Sequence, residues 1–206
     1  MNKVMIFSLV LFFSQCKQVA CNKVDETVKK ENKVNLTYEE WVRKEYEEQM
    51  SSVMTSDSLD LFGITIKTLP NDFYTYSHLK YIRFDCHQPN CLTILSPKVK
   101  NFTKLISLTL SKTALKNLPS EIGELSNLKN LLVLGGGQLE SIPEEIGQLS
   151  NLETLDLWRN KLVSLPSSIK NLTKLKVLNI GENKFSDSEI DQIKQMLPNC
   201  LVKLDR

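Results

Sequence analysis

An α/β solenoid of short stacked repeats, with a parallel sheet along one side, is the fold class this sequence predicts. Three observations predict it. Leucine returns at a nearly fixed period through most of the chain, a Leu-Pro or Ile-Pro dipeptide returns at the same place in four of the units, and the segments flanking the array are of different composition. Self-similarity at a period of roughly 20–50 residues is the mark of an architecture in which each unit buries its apolar face only against its neighbours.

Two units set the pattern. Leu105-Ile-Ser-Leu108-Thr-Leu110 leads to Leu115, Leu118-Pro119, Ile122, Leu125 and then Leu128. Leu152-Glu-Thr-Leu155-Asp-Leu157 leads to Asn160, Leu162, Leu165-Pro166, Ile169, Leu172 and then Leu175. Each advances 23 residues. Ser56 to Leu79 advances 23 as well, Leu79 to Leu105 advances 26 with an insertion around Gln88–Cys91, and Leu128 to Leu152 advances 24. A sixth unit opens at Leu175-Lys-Val-Leu178-Asn-Ile180.

Within a unit, the apolar residues at positions one, four and six bracket a short strand whose side chains alternate between core and solvent. Proline at position fifteen lacks an N–H to donate and belongs outside the ladder. The apolar residues at positions eighteen and twenty-one close the core from the back. Six such strands, at about 4.8 Å each, make a concave parallel sheet roughly 25 Å long.

The pattern LxxLxLxxNxLxxLPxxIxxLxx resembles that of bacterial and plant-like leucine-rich-repeat proteins, over roughly residues 56–204, with the repeats in 56–184. In that family position nine is an Asn that ties the loops together. Here it reads Ile64, His87, Thr113, Gly137, Asn160 and Asn183, so the N-terminal half is expected to be less regular. Partner specificity in the family usually resides on the concave face. Positions three and five, which point there, read Ser58, Tyr81, Ser107, Leu131, Thr154, Val177 and Asp60, Arg83, Thr109, Val133, Asp156, Asn179. Four successive apolar residues, Leu131-Leu132-Val133-Leu134, must send two outward in either register, which predicts an apolar ledge in mid-sheet. The expected partner-binding set is Tyr81, Arg83, Thr109, Leu131, Val133, Asp156, Trp158, Arg159 and Asn179. Aromatic residues and Arg in such a set suit an interface core.

Open solenoid ends need caps. Thr37-Tyr-Glu-Glu40 is a capping box that predicts a helix within residues 37–55 as the N-terminal cap. Residues 185–206 are expected to form the other cap. There Ser186-Asp187-Ser188-Glu189 starts a helix with Ile190, Ile193, Met196 and Leu197 on one stripe, Pro198 stops it, and Cys200–Leu204 adds a closing strand. No effector domain is expected after it.

Residues 1–15 read as an export signal: Lys3 precedes the apolar run Val4–Phe13, too short to span a bilayer. Cys16 directly after it resembles the lipidated cysteine of bacterial lipoproteins, in the looser form seen in spirochaetes, although Gln15 departs from the usual small residue. Cys21, after Ala20, is the alternative, and simple cleavage a third. The polar stretch of 16–36 reads as a flexible tether. The expected location is therefore exported, either lipid-anchored at the outer membrane or secreted.

Cys86 and Cys91 flank the insertion and could form a disulfide; free thiols, or a zinc site with His87, are the alternatives. No metal and no cofactor is expected. His78 and His87 are the two histidines and neither has a nucleophile motif beside it, so enzymatic activity is not expected. Gly135-Gly136-Gly137 lacks the GK[ST] of a phosphate loop. A net charge of +2 (26 basic against 24 acidic residues) carries no basic stripe for nucleic acid. The function expected is a non-catalytic binding module for a protein partner, a host or envelope protein. A structural or adhesive role by self-association is the alternative.

Overall fold

The computed structural model describes residues 56–64, 66–86 and 91–204. The expected export signal, Cys16, Cys21, the tether, the helix of residues 37–55 and His87 lie outside the described residues. In the unit running from Asp57 onward, seven strands form one sheet: β1 (Ser58–Ile64), β2 (Tyr81–Cys86), β3 (Ser107–Ser111), β4 (Asn130–Leu134), β5 (Thr154–Asp156), β6 (Val177–Asn179) and β7 (Leu201–Lys203). They pair in chain order, each parallel to the next. This is a leucine-rich-repeat solenoid, with its sheet on the concave side.

Alternation along each strand builds the core. Leu59 and Leu61, Ile82 and Phe84, Leu108 and Leu110, Leu131 and Val133, Leu155 and Leu157, Leu178 and Ile180 all point inward and are buried. Behind them run short 3-10 turns at Asn71–Thr75, Pro97–Asn101, Ser120–Glu124, Glu144–Gln148 and Ser167–Asn171. The prolines earn this placement: Pro70, Pro119, Pro143 and Pro166 sit in extended backbone as the residue before each turn, and Pro97 opens its own. Each turn drops one apolar side chain into the core (Phe73, Val99, Ile122, Ile146, Ile169) and the residue after it another (Tyr76, Phe102, Leu125, Leu149, Leu172). The early repeats fill this layer with rings. Phe73 and Phe102 meet edge to face at 5.5 Å, and the buried Tyr74 hydroxyl accepts the Ser96 amide at 3.2 Å.

The fourth repeat corrects the sequence reading. Leu131 and Val133 are core residues, 0% and 2% exposed, and do not belong to the outward face. The register pairs Ser107 with Asn130 and Thr109 with Leu132, so Asn130, Leu132 and Leu134 point outward instead. A one-residue slip exchanges the two faces of a strand. The extra residue of this 24-residue unit falls after the strand, in the glycine run, and the strand itself stays in step.

That glycine run also shows where position nine lies. In four consecutive repeats the residue at position eight takes the left-handed conformation: Lys112 (φ 55°), Gly135 (φ 70°), Arg159 (φ 56°) and Glu182 (φ 51°). Gly136 follows Gly135 and therefore occupies position nine, which the sequence reading gave to Gly137. A side chain at Gly136 would run into the carbonyl of Thr113, the position-nine residue of the preceding repeat, so the backbones approach too closely for anything but glycine.

In the last two repeats the position-nine asparagines tie turns together. Nδ2 of Asn160 donates to Val133 O at 2.8 Å and Leu157 O at 3.0 Å, while its Oδ1 accepts from Leu139 N at 3.3 Å. Asn183 repeats the pattern one turn later, on Leu157 O at 2.8 Å, Ile180 O at 3.0 Å and Leu162 N at 3.0 Å.

Strand length follows a side-chain competition. β5 and β6 have three residues, whereas β3 and β4 have five. In the short strands position five is Asp156 or Asn179, whose side-chain oxygen takes the amide two residues on: Trp158 N at 3.0 Å and Gly181 N at 3.1 Å. Such local bonds compete with the ladder. Thr109 and Leu132, at the same position of β3 and β4, make no such bond.

After β6 comes a helix, α1 (Asp187–Met196), capped by the Ser186 hydroxyl, which accepts Glu189 N at 3.2 Å. Its Ile193 is buried, as is Leu197 just beyond it. β7 then pairs with β6. No helix among the described residues is long and apolar enough to cross a membrane.

Candidate functional site, the open face of the sheet

Register assigns three outward positions to each repeat. Position three reads Ser58, Tyr81, Ser107, Asn130, Thr154, Val177 and Leu201. Position five reads Asp60, Arg83, Thr109, Leu132, Asp156, Asn179 and Lys203. Position seven, toward the loop edge, includes Phe62, Asp85, Ser111 and Leu134, with Trp158 following at the end of β5. Of the expected partner-binding residues, Tyr81, Arg83, Thr109, Asp156 and Asn179 share this face, and Trp158 and Arg159 stand at its loop edge. Leu131 and Val133 are on the opposite side.

At the β1–β2 end an aromatic and charged group assembles. Phe62 is 57% exposed and Tyr81 44%, both high for rings of this size. The Arg83 guanidinium lies 4.9 Å from the centre of the Phe62 ring and its Nη1 3.7 Å from Asp60 Oδ2. Lys112 Nζ lies 3.3 Å from Asp85 Oδ1. A guanidinium over a ring face is attracted by the ring quadrupole, so Arg83 is held in place rather than swinging free.

In mid-sheet the face turns apolar. Leu132 and Leu134 of β4 are half-buried, beside Trp158, whose ring edge lies next to Gly135. Arg159 stands 5.7 Å from the Trp158 ring, with its Nε 3.6 Å from Glu182 Oε2. Asp156 lies between Leu132 on β4 and Asn179 on β6.

The sheet's other edge is more highly charged. Glu153 is bonded to Lys176 and lies 3.5 Å from Lys129, and these two ammonium groups hold its carboxyl below the usual carboxylate range. Lys80 pairs with Asp57 at 3.1 Å. These exposed pairs keep that edge solvated and each contributes little to stability.

Cys86 and Cys91 are joined in a disulfide, with Cα atoms 5.8 Å apart, and both are buried. The bond takes up both sulfurs that a zinc site with His87 would need. Cys200 is a free thiol, pushed above its ordinary value by burial. A shallow groove of about 470 Å³, lined by Ile94, Leu95, Ala114, Leu118 and Pro119 among others, runs along the flank away from the sheet face.

Phe62, Leu132 and Leu134 are the face residues that sequence reasoning left out of the site. Position seven is the signal that would have found Phe62 and Leu134, since a strand that runs on past position five presents a third outward side chain.

Comparison with known proteins agrees with this geometry. A leucine-rich repeat region model matches residues 132–204. No curated protein matches the chain. Among solved structures, the chain is similar to a leucine-rich-repeat protein of Leptospira interrogans, at 24% identity and a TM-score of 0.53, over 76% of this chain and 51% of that one. It is similar to an internalin of Listeria monocytogenes at 21% identity and a TM-score of 0.61, over 76% of this chain and 44% of that one. A TDR receptor matches at 28% identity and a TM-score of 0.53, over 66% of this chain and 24% of that one. The chain thus spans about half, or less, of the length of the solved structures it matches.

Proposed function

We propose that this leucine-rich-repeat solenoid is a non-catalytic binding module of bacterial type that takes a protein partner on its concave face. The observation that carries the reading is the grouping of Phe62, Tyr81, Arg83, Leu132, Leu134 and Trp158 on one open sheet face. Solvent-facing strands need only polar side chains there, and interface cores are where aromatic residues and Arg concentrate. The fold shared with an internalin and with a Leptospira repeat protein supports the same reading, although fold alone names no partner.

The proposed setting is the cell envelope. Residues 1–15 would direct export, and lipid on Cys16, or else Cys21, would hold the solenoid at a membrane through the tether, with release as a secreted protein the other route. One acyl chain anchors only marginally and two or more do so stably. The mass of the native protein's N-terminal peptide separates these outcomes: a lipid adduct on cysteine, a plain cleaved end, or an intact Met1, the last of which would refute export.

The binding reading is tested with a photo-crosslinking residue at Leu132 or Tyr81 on living cells. A protein captured at both positions and weakened by Arg83→Ala or Trp158→Ala, with folding intact, is the expected result. A partner indifferent to both substitutions would place binding elsewhere. The competing reading is an adhesive role through self-association, favoured by the exposed Leu201 on β7. Concentration-dependent sedimentation that Leu201→Lys abolishes would select it.

A further inference from the structure

Among the carboxylates on the sheet face, Asp156 is set apart. Asp60 pairs with Arg83, Asp85 with Lys112, and at the margins Asp57 pairs with Lys80, Glu153 with two lysines and Glu182 with Arg159. No ion pair among the described residues reaches Asp156. Its register neighbours are Leu132 and Asn179. The cationic residues nearest along that row are Lys203, two strands away or about 9.6 Å, and Arg83, three strands away or about 14 Å.

Backbone structure explains the oxygen at this position but leaves the charge over. Asp156 Oδ1 accepts Trp158 N, and that bond ends β5. Asn179 performs the same service one repeat later with a neutral amide, accepting Gly181 N at 3.1 Å. A carboxylate is therefore not needed for the turn. The turn does hold the carboxylate still, between the apolar Leu132 on one side and the indole of Trp158 along the loop edge. An immobilised acid beside apolar surface loses less rotamer entropy on pairing than a free one.

We infer that the part of the concave face around Asp156 takes a partner segment presenting a basic side chain next to an apolar one, the cation on Asp156 and the apolar group on Leu132 and Leu134. This rests on the concave-face reading above and adds the chemistry of the occupant. Charge complementarity of this kind sets specificity and orientation more than raw affinity.

The probe is acetyl-Leu-Arg-Leu-amide, with citrulline in place of arginine as its uncharged isostere, titrated into the full chain while the amide resonances of Leu132, Asp156 and Trp158 are followed by NMR. The arginine peptide is expected to bind about fivefold more tightly than the citrulline peptide at low salt. Asp156→Asn, which keeps the turn as Asn179 does, is expected to erase that difference with the fold intact. Equal binding of the two peptides at these amides would overturn the cationic partner while leaving the binding face standing. The same holds for a preference that survives Asp156→Asn. Failure of both peptides to move these amides would overturn the inference as well. The concave-face reading itself fails on a separate observation, a crosslinked partner that maps off the sheet.

Discussion

Asn160 Nδ2 lies 2.8 Å from the carbonyl oxygen of Val133, so the loop of one repeat is bolted to the strand of the repeat before it. The residue is buried, and its amide also serves Leu157 O and Leu139 N. Truncation would strand several backbone groups away from water. Asn160→Ala is expected to cost about 3 kcal/mol, read as a shift of the urea midpoint. Asn183→Ala, at a half-buried site, should cost less. Equal and small losses at both would show that water replaces the side chain.

Leu131 and Leu132 are adjacent but face opposite ways. Leu131→Ala opens a cavity in the core and is expected to cost about 3 kcal/mol. Leu132→Ala should stay within about 0.5 kcal/mol and act on partner binding instead. Denaturation of the two variants side by side checks the register; the reverse order would mean that the strand is slipped by one.

The glycine run makes a graded prediction. Gly135→Ala meets nothing closer than 3.7 Å, and its left-handed backbone is one that Lys112, Arg159 and Glu182 also adopt. A cost of about 1 kcal/mol is expected. Gly136→Ala drives a methyl into the Thr113 carbonyl and is expected to cost about 3 kcal/mol. Thermal melts of both suffice, and a tolerated alanine at 136 would contradict the close approach of the two loops.

The Cys86–Cys91 bond closes a short loop, and removing it by Cys86→Ser with Cys91→Ser should cost roughly 2 kcal/mol in the chain-entropy account. Both sulfurs are buried, so mild reductant should act slowly on the folded protein and quickly in urea. Intact mass after alkylation under denaturing conditions counts the thiols directly. Reactive thiols at both positions in protein handled without reductant would refute the bond.

Glu153 supplies a pH prediction. Its carboxyl is held low by Lys176 first and Lys129 second. A depressed folded value means that its contribution is present above the ordinary carboxylate pKa of about 4.3 and fades as pH falls through the lowered one. Glu153→Gln should therefore flatten the acid side of the stability curve slightly while leaving the alkaline side unchanged. Because the group is exposed, salt should suppress the difference. A titration midpoint at or above the ordinary value, read from the side-chain carbonyl shift, would refute the assignment.

Much of the architecture was legible in residue spacing. The repeat units, the inward leucines of β1, β3, β5 and β6, the proline-led turns and the helix starting after Ser186 all follow from periodicity and local chemistry. What spacing left open is instructive at β4. Leu131 to Leu134 are four apolar residues in a row, and composition alone cannot say which pair faces in. The answer depended on whether the extra residue lay before or after the strand. A loop with three glycines can absorb it at little cost, whereas a slipped strand would expose two core residues. Phe62 went unnoticed for a related reason: an Asp at position five can end its strand by bonding its own chain, as Asp156 does with Trp158 N, or pair with the next strand and let its own run on, as Asp60 does with Arg83, and spacing does not choose between them.

The sequence by itself determined the class of this protein, because a leucine period with a recurring proline can bury its apolar side chains only by stacking unit on unit. Tertiary structure alone decided which side chains share the open face and which charges are neutralised there. Pairings such as Arg83 with Asp60 and Lys112 with Asp85 join residues 23 and 27 positions apart. Only the stacking of consecutive repeats brings such residues within reach, and among the described residues the same stacking pairs no cation with Asp156.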